Sequence, residues 1–383
     1  MTMKKVAIVG VGMHKFGRFE DETYRQIGQE AVKKALEDAN ISWSDIQTAY
    51  MSTQYLPPTA GVRILKPLGA TGIPLVDVEA ACASGGVAVK QAMQAIQAGS
   101  CDLAMAVGTE KMPRGFMDPM ANFEKWQVEM GMSTNPSYWS IMAHRHMHDY
   151  GTTELQIAKV AYKNHKNSVN NPYAMYQKEF TVEEILASPL VCDPIHLLEI
   201  CAPNEGAAAV VLSSWDKAHK YTATPITIEA CVHTIAQYSS DFRVPIESMS
   251  AQVVNPSPTE TASRKAYENA GIGPEDLDVV ELQDTDAFCE LEAYEKLGLC
   301  GPGESGKLID DGVTEMGGSL PVNVSGGLIS KGEPVGASHL GQIAELVWQL
   351  RGQAGKRQVP NARVAMGHVL GAGGNCAVTI LKR

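Results

Sequence analysis

The sequence lacks three features, each of which would assign it to a particular class of protein. No apolar run reaches the roughly 18–20 residues that cross a bilayer, so we expect no membrane partner. Basic residues are outnumbered, 32 against 43 acidic ones, and the formal net charge is −11. This balance argues against nucleic-acid binding through a basic face, although it allows a local basic pocket for a phosphorylated ligand.

Paired cysteines are the third missing feature. No C-x-x-C pair occurs among the eight scattered cysteines, Cys82, Cys101, Cys192, Cys201, Cys231, Cys289, Cys300 and Cys376, so we expect no zinc site built from them. The opening MTMKKVAIVGVGMHKFGRFE holds an apolar stretch too short and glycine-rich for a signal peptide, and predicts a strand at Val6–Val11. Reduced thiols without an export signal predict a cytoplasmic protein.

Strand-like and helix-like segments alternate along the chain, which favours the α/β class, and one unit occurs twice. Residues 31–51 (AVKKALEDANISWSDIQTAYM) align without gaps with residues 262–282 (ASRKAYENAGIGPEDLDVVEL), with seven identities in twenty-one positions. Both segments predict a helix, a short loop with an acidic residue, and a strand. The alternative explanation is chance similarity between two amphipathic helices.

A second correspondence follows at the same places in the two segments of chain. Leu75–Glu79 leads into the small-residue turn AACASGG, a helix near Val87–Ala98 and a strand at Leu103–Val107. Leu320–Val324 leads into SGGLISKGEPVGA, a helix near Leu340–Leu350 and a strand at Val364–Met366. We therefore expect two similar halves, residues 1–220 with an inserted region near 111–200, and residues 221–383. Turns at the carboxyl ends of strands bind ligands in open α/β sheets, so both turns are expected to meet at one pocket.

Cys82 and Glu333 lie in these two turns. A thiol at the start of a helix is exposed to the positive end of the helix dipole, which lowers its pKa and favours the nucleophilic thiolate. The small residues around Cys82 leave room for an acyl group and let backbone N–H groups point at an oxyanion. The alternative is a buried structural cysteine, since free cysteines are often buried.

Several motifs together resemble the thiolase superfamily, in its sterol-carrier-protein (lipid-transfer) branch: VEAACASGG around Cys82, VAIVGVGMHKFGRF, VGTEKM, APNEGAAAVVL, YEKLGLC, SGGLISKGEPVGA and GHVLGAGG. The resemblance implies a five-layered α-β-α-β-α fold of two similar halves, and a homodimer or dimer of dimers. It also implies acyl-CoA substrates, with coenzyme A as co-substrate and no bound cofactor. By the same resemblance, Cys82 is the nucleophile, and the N–H groups of Cys82 and Gly371 form an oxyanion hole.

The chain departs from the family at the residues that normally assist the cysteine. The family's Gly-His-Pro is Gly332-Glu333-Pro334 here, and its His-Asp-Cys-Phe aligns with Gln283-Asp284-Thr285-Asp286. The acid/base cysteine is thus replaced by Thr285, and the family's other position for it falls near Val369. Glu333 is open to three roles: a base, a hydrogen-bond donor when protonated, or a structural acceptor of backbone N–H groups.

Histidines offer further candidates for the site. His339 stands where the family has a small residue and could supply the missing imidazole or point along a helix surface. His368 matches a histidine that often precedes the final loop in this branch. The triplet His144, His146 and His148 resembles a metal box, but only the outer two share a helix face, so we expect no metal.

Two functions are compatible with these residues. The first is a thiolase-type acyltransferase that cleaves a β-ketoacyl-CoA through an acyl-cysteine, on an aromatic or carboxylated substrate such as 2-benzoylsuccinyl-CoA. Divergent thiolases of that kind imply a small partner with a zinc ribbon and an OB-fold, a DUF35-type subunit. The second is a retro-aldolase or a non-catalytic subunit on the same fold, and the retained Cys82 argues against it.

Overall fold

A computed structural model gives the structure of the protein and describes residues 4–115, 125–132, 134–237 and 256–383. The strands are β1 (Val6–Met13), β2 (Thr48–Ser52), β3 (Leu75–Val78), β4 (Leu103–Lys111), β5 (Leu190–Cys192), β6 (Ile195–His196), β7 (Glu205–Ser214), β8 (Ile226–Thr234), β9 (Val279–Glu281), β10 (Val364–Gly371) and β11 (Asn375–Lys382). The helices are α1 (Tyr24–Asp38), α2 (Ala60–Leu65), α3 (Ser84–Gln97), α4 (Lys125–Glu129), α5 (Asn135–Tyr150), α6 (Glu154–Ser168), α7 (Val182–Leu186), α8 (Trp215–Ala218), α9 (Pro258–Ala270), α10 (Ala287–Lys296), α11 (Ser305–Asp310) and α12 (Ser338–Arg351).

Nine of these strands are hydrogen-bonded in the order β3-β2-β4-β7-β1-β8-β11-β10-β9. The first five in this order come from the N-terminal half and the last four from the C-terminal half. The two groups meet through only a short antiparallel pairing of β1 with β8, at Ala7–Thr227 and Ile8–Ile226. Each half combines parallel and antiparallel pairs, with β2 parallel to β3 and β4 in one and β9 parallel to β10 in the other.

Helices pack on the strands in five layers. Helix α1 covers the N-terminal strands on the outside, and α9 covers β8 and β11 on the other outside face. Between the two groups of strands lie α3 and α12, and each contacts strands of both halves. The α-β-α-β-α arrangement expected from the resemblance is therefore confirmed.

Local sequence explains where the outer helices begin. Helix α1 starts at a capping box in which Thr23 and Gln26 satisfy each other's backbone N–H groups, and α9 starts at an equivalent box of Ser257 and Glu260. Strand β7 is buried along its whole length because the central helices cover one face and α1 covers the other. Its small residues, GAAAVVL, allow both layers to approach closely.

The internal duplication is present in the structure. Short 3₁₀ turns at Trp43–Asp45 and Pro274–Asp276 link α1 to β2 and α9 to β9, and they are separated by 231 residues (274 minus 43), the same offset as in the sequence alignment. Repetition of helix, turn and strand in this register argues against chance similarity. One expected element differs, since within 320–324 the only bridge is a parallel one from Val322 to Val280. Pro321, which has no N–H group, cannot donate to a longer ladder there.

The inserted region contributes helices α4–α7 and the β5–β6 hairpin. Its residues lie over the end of the molecule where the turn after β3 and the loop before α12 meet. The half boundary expected after residue 220 falls between α8 and β8 and remains a prediction. Within the described residues, no helix combines the length and the apolar character needed to cross a membrane.

Candidate active site

A cavity of about 530 Å³ lies where the two halves and the inserted region meet. Cys82 from the N-terminal half and Glu333, Thr285 and Ala372 from the C-terminal half form its inner end. The inserted region supplies mostly apolar walls, among them Trp139, Tyr176, Phe180 and Leu197. The two turns that the duplication relates therefore open into one shared space.

Cys82 sits in a 3₁₀ turn, Ala81–Ala83, that continues into α3. The turn is locally constrained: Ala81 has a φ of +50°, and Ser84 Oγ accepts a hydrogen bond of 2.8 Å from the Ala80 N–H. The final loop packs directly behind it, because a Cβ added at Gly371 would lie 2.7 Å from the Cys82 backbone nitrogen. Only glycine at position 371 lets that loop approach the nucleophile turn so closely.

The loop carrying Glu333 is also held by close backbone contacts. Gly332 has a φ of +114°, and a Cβ there would lie 1.7 Å from Asn204 Nδ2. The Glu333 backbone N–H donates to the Ala202 carbonyl at 2.9 Å. These contacts explain why the sequence places glycines around this acid: they bring the loop against the segment before β7.

The Glu333 side chain is 5% exposed and is surrounded by hydrogen-bond donors. Gln283 donates from Nε2 to Glu333 Oε1 at 2.8 Å, and the thiols of Cys82 and Cys201 lie within hydrogen-bonding reach of the carboxylate. Burial raises the pKa of Glu333 from its usual value, while these three donors act in the opposite direction. The arrangement suits a carboxylate that can accept a proton from a neighbouring thiol.

The pKa of the Cys82 thiol differs from the value expected from the sequence. Burial raises its pKa well above the usual value, and the negative charge of Glu333 raises it further. The backbone N–H of Cys82 lowers the pKa, as a helix start should, but this effect is smaller. The prediction of a thiolate stabilised by the helix dipole is therefore wrong for the unliganded site, where the thiol is protonated and its neighbouring carboxylate is the available base.

Cys201 was not singled out by the sequence analysis, although it lines the cavity next to Glu333. Its side chain is 8% exposed, and burial and the charge of Glu333 raise its pKa well above the usual value. Its backbone N–H donates to the Thr285 carbonyl at 2.9 Å. The only sequence signal was its position directly before the small-residue run APNEGAAAVVL, a context similar to that of Cys82.

The residues that replace the family's histidine and cysteine lie side by side in the C-terminal half. Gln283 contacts Glu333 directly, and Thr285 lines the cavity. His368 lies behind them and does not line the cavity. Its Nδ1 accepts from the Gln283 N–H at 3.5 Å, and its Nε2 bonds to Thr259 Oγ1 at 3.0 Å. Burial lowers the pKa of His368 to about 3, so it is a neutral support for Gln283.

His339 is not brought to the cavity. It lies in α12 in the central layer, with Nδ1 bonded to Gln342 Oε1 at 2.8 Å and Nε2 to Thr379 Oγ1 at 3.1 Å. Burial lowers its pKa to about 4, so it is neutral. The His339 side chain lies on the face of α12 that packs against β11, where it bonds to Thr379. It is therefore not positioned to replace the missing imidazole.

The remaining cysteine and histidine candidates also lie outside the cavity. Cys289 donates to Asp286 Oδ2 at 2.8 Å. Val369, at the family's other position for the acid/base cysteine, belongs to a small buried apolar cluster. His146 bonds to Thr152 Oγ1 and to Glu295 Oε1, whereas His144 bonds to Asp193 Oδ2, so these two histidines have separate partners. The triplet therefore does not converge on a metal site.

Two further groups that sequence reasoning missed shape the cavity. Glu110, fully buried, accepts hydrogen bonds from the N–H groups of Gln54, Tyr55 and Gly336, and so ties the loop after β2 to the Glu333 loop. Arg18 lines the cavity and donates to the carbonyls of Met112, Pro113 and Pro203.

Arg18 is the one side chain with a permanent positive charge among the described residues that line the cavity. Glu205 lies 2.8 Å from Lys111 Nζ and 3.7 Å from Arg18 Nη1, so one carboxylate serves two cations. Backbone carbonyls satisfy the geometry of the guanidinium but do not neutralise its charge. The Arg18 guanidinium is therefore a candidate contact for a negative group on a substrate.

Comparison with known proteins places this geometry in a family. Residues 6–216 match the thiolase N-terminal domain, and residues 245–383 match the thiolase C-terminal domain-like family. The chain belongs to the thiolase superfamily. Human sterol carrier protein 2 is 40% identical over 100% of this chain and 72% of its own length, which confirms the branch that the motifs indicated.

Two further comparisons bear on function. The benzoylsuccinyl-CoA thiolase subunit BbsB of Thauera aromatica is 36% identical, covering 97% of this chain and 95% of its own. A solved structure described as an Ltp2-ChsH2(DUF35) aldolase superposes with a TM-score of 0.85 at 25% identity, over 99% of this chain and 97% of that one. Membership in the superfamily, together with the thiolase relative, supports a thiolase-type acyltransferase.

Proposed function

We propose that the chain cleaves a β-ketoacyl-CoA with coenzyme A through an acyl group carried on Cys82. The observation that supports this most strongly is the pairing of the Cys82 thiol with the buried Glu333 carboxylate at the inner end of a large cavity. A nucleophile next to a group that can take its proton is the arrangement that covalent acyl transfer requires. Coenzyme A is the co-substrate in this proposal, and no other cofactor takes part.

The reaction begins as Glu333 takes the proton of Cys82 while the sulfur attacks the keto carbon. The developing oxyanion accepts hydrogen bonds from the backbone N–H groups of Cys82 and Gly371. The carbon–carbon bond then breaks, leaving an acyl-Cys82 thioester and the enolate of an acyl-CoA, which takes up a proton. The coenzyme A thiol attacks the thioester, and Cys82 leaves as a thiolate that recovers its proton.

The substrate proposed is an aromatic or carboxylated acyl-CoA, with 2-benzoylsuccinyl-CoA as the specific candidate. The aromatic side chains of Trp139, Tyr176 and Phe180 in the cavity wall suit a planar acyl group. The Arg18 guanidinium in the cavity wall suits a carboxylate. The identity to the benzoylsuccinyl-CoA thiolase subunit agrees with both features.

The partners follow from the same comparison and from one edge of the sheet. Strand β3 ends the sheet in this chain, and Val76 on it is 49% exposed, as an edge that pairs with a second copy would be. We therefore propose a homodimer, or a dimer of dimers, in the cytoplasm. A DUF35-type subunit is proposed because the structural neighbour named as an aldolase includes one.

The second candidate is retro-aldol cleavage, which the aldolase neighbour favours. Tyr55 lines the cavity, and burial raises its phenol pKa, so it would stay protonated as a hydrogen-bond donor. This chemistry would not acylate a cysteine. A non-catalytic subunit would not acylate one either.

Mass spectrometry after incubation with benzoyl-CoA or acetyl-CoA separates these functions. An acyl adduct on the Cys82 peptide, lost in Cys82→Ser and kept in Cys101→Ser, supports acyl transfer. Cys101 is a suitable control because it is a buried thiol outside the cavity lining. No adduct with either thioester, alone or with the proposed partner subunit, would favour aldol chemistry or a non-catalytic role.

A further inference from the structure

We propose that Cys201 is a second catalytic thiol, which carries a proton between the Glu333 carboxylate and the α-carbon of the acyl-CoA fragment. This inference rests on the proposed acyl transfer at Cys82. It assigns a source for the proton that the departing enolate must take up, a step for which the cavity offers few suitable groups.

Three main-chain hydrogen bonds hold the segment of Cys201 next to the Glu333 loop and to Thr285. The Cys201 N–H donates to the Thr285 carbonyl at 2.9 Å, and the next residue, Ala202, donates to the Leu328 carbonyl at 3.2 Å. The Ala202 carbonyl in turn accepts from the Glu333 N–H at 2.9 Å. The thiol of Cys201 is therefore held beside the carboxylate by main-chain contacts, which a mobile surface cysteine would not have.

Two thiols thus flank one carboxylate. Cys82 and Cys201 both lie within hydrogen-bonding reach of Glu333, and both line the cavity. The two thiols also come from different elements, one from the turn before α3 and the other from the segment before β7. This separation lets one sulfur hold the acyl group while the other contacts the fragment that leaves.

The proton movements balance with these three groups. The Cys82 proton passes to Glu333 as the acyl-sulfur bond forms. When the carbon–carbon bond breaks, the Cys201 proton passes to the enolate carbon, and the resulting Cys201 thiolate recovers a proton from Glu333. In the second half, the coenzyme A proton passes through Cys201 to Glu333, and Glu333 returns it to the departing Cys82 thiolate.

Neighbouring groups are less suited to this role. His165 lines the cavity, but its ring nitrogens bond to Ser330 Oγ and to the Leu198 carbonyl, both at 3.1 Å. Thr285 lines it as well, but an unactivated hydroxyl is a far weaker acid than a thiol. Cys289 is directed at Asp286 and does not line the cavity.

Deuterium exchange tests the assignment separately from acylation. Wild-type protein, with its partner subunit where one copurifies, is incubated in D₂O with acetyl-CoA and with succinyl-CoA, and deuterium at the α-carbon is measured by mass spectrometry. Acyl-Cys82 formation from benzoyl-CoA, which has no α-hydrogen, is followed in parallel. Cys201→Ala is compared with Cys101→Ala, since both cysteines are 8% exposed and only Cys201 lines the cavity.

We expect Cys201→Ala to lose α-exchange by at least about 100-fold, the lower range for a general acid or base. Acyl-Cys82 should still form in this variant, and Cys101→Ala should exchange like wild type. Exchange within about threefold of wild type in Cys201→Ala would overturn the inference and leave the proposed function standing. Equal loss of acylation and exchange in a folded Cys201→Ala would also overturn it.

Should Cys201→Ala fail to fold, Cys201→Ser decides the question by the same split, because a serine hydroxyl fills the site without a comparable acidity. Wild type that exchanges α-hydrogens without ever forming acyl-Cys82 would contradict the proposed function, and the role of Cys201 in acyl transfer with it.

Discussion

The two turns related by the internal duplication, one around Cys82 and one around Glu333, differ most in the contacts that hold them in place. In the N-terminal half, the turn of Cys82 is built from alanines and glycines, and its thiol is partly open to the cavity. In the C-terminal half, the segment from 324 to 347 is buried without interruption. Asp284 accepts from the N–H groups of Leu328 and Ile329, and Lys331 pairs with Glu281 inside the protein.

This difference separates two tasks between the duplicated halves. The Cys82 turn, held mainly by hydrogen bonds within residues 79–84, presents a nucleophile to a substrate that must enter and leave. The heavily anchored loop fixes a carboxylate whose position and charge control that nucleophile. Duplication supplied the approximate symmetry that brings the turns together, and the side chains at equivalent places then diverged in chemistry.

The largest effect should come from the nucleophile turn. Cys82→Ser is expected to reduce thiolysis by at least about 10³-fold, because a serine hydroxyl is a much poorer nucleophile in this setting. The melting temperature and coenzyme A binding should change little, since the turn carries few stabilising polar contacts. A thiolysis assay with calorimetry measures both, and Cys101→Ser is the control. A Cys82→Ser variant with full activity would remove the proposed mechanism.

A smaller effect is expected at the anchored loop. Glu333→Gln keeps the shape of the side chain but removes the base, and turnover should fall at least about tenfold, roughly 1.4 kcal/mol in the barrier. Because the base must be ionised, wild-type turnover should fall as the pH drops through the raised pKa of Glu333. That acidic limb should disappear in the variant. An unchanged rate would make Glu333 a structural residue.

Outside the site, the expected effect is on the stability of the C-terminal half in acid rather than on turnover. His339 is neutral in the fold, with a pKa of about 4, and has an ordinary pKa of about 6.5 when unfolded. The unfolded state therefore binds more protons as the pH falls from 6.5 towards 4, and stability is lost by up to about 3 kcal/mol over that window.

His339→Gln should reduce this pH dependence, to which the buried His368 also contributes, whereas His144→Gln, at an exposed position, should leave it unchanged. Denaturant unfolding at pH 7 and at pH 4.5 measures the difference. An equal loss of stability in wild type and in His339→Gln would show that the acid sensitivity arises elsewhere.

Much of the fold was predictable from the sequence because it repeats. The gapless alignment of residues 31–51 with 262–282 predicted the same helix, turn and strand twice, and the structure has both. Strand and helix ends were predicted less well: α3 begins at Ser84 and α12 at Ser338, each earlier than expected. Small and polar residues at those starts carry no apolar periodicity from which to place a boundary.

The site was predictable only where it lies in the repeated turns. The meeting of Cys82 with Glu333 follows from the duplication, and Gln283 follows from the register of the C-terminal strand. Cys201 and Glu110 lie in neither turn, and their approach to Glu333 depends on long-range packing. The raised pKa of Cys82 was foreseeable in part, since a carboxylate beside a thiolate raises the thiol pKa, but the larger contribution of burial depends on the packing of the whole fold.

The carboxylate of one half is expected to control the reactivity of the thiol of the other half. Alkylation of Cys82 by iodoacetamide, followed on its peptide by mass spectrometry from pH 6 to pH 10, tests this directly in wild type and in Glu333→Gln. We predict a wild-type midpoint above the ordinary cysteine pKa of about 8.5, and a lower midpoint in Glu333→Gln, where the charge is gone. A wild-type midpoint at or below 8.5, or one that the substitution leaves unchanged, would show that Glu333 does not control the Cys82 thiol.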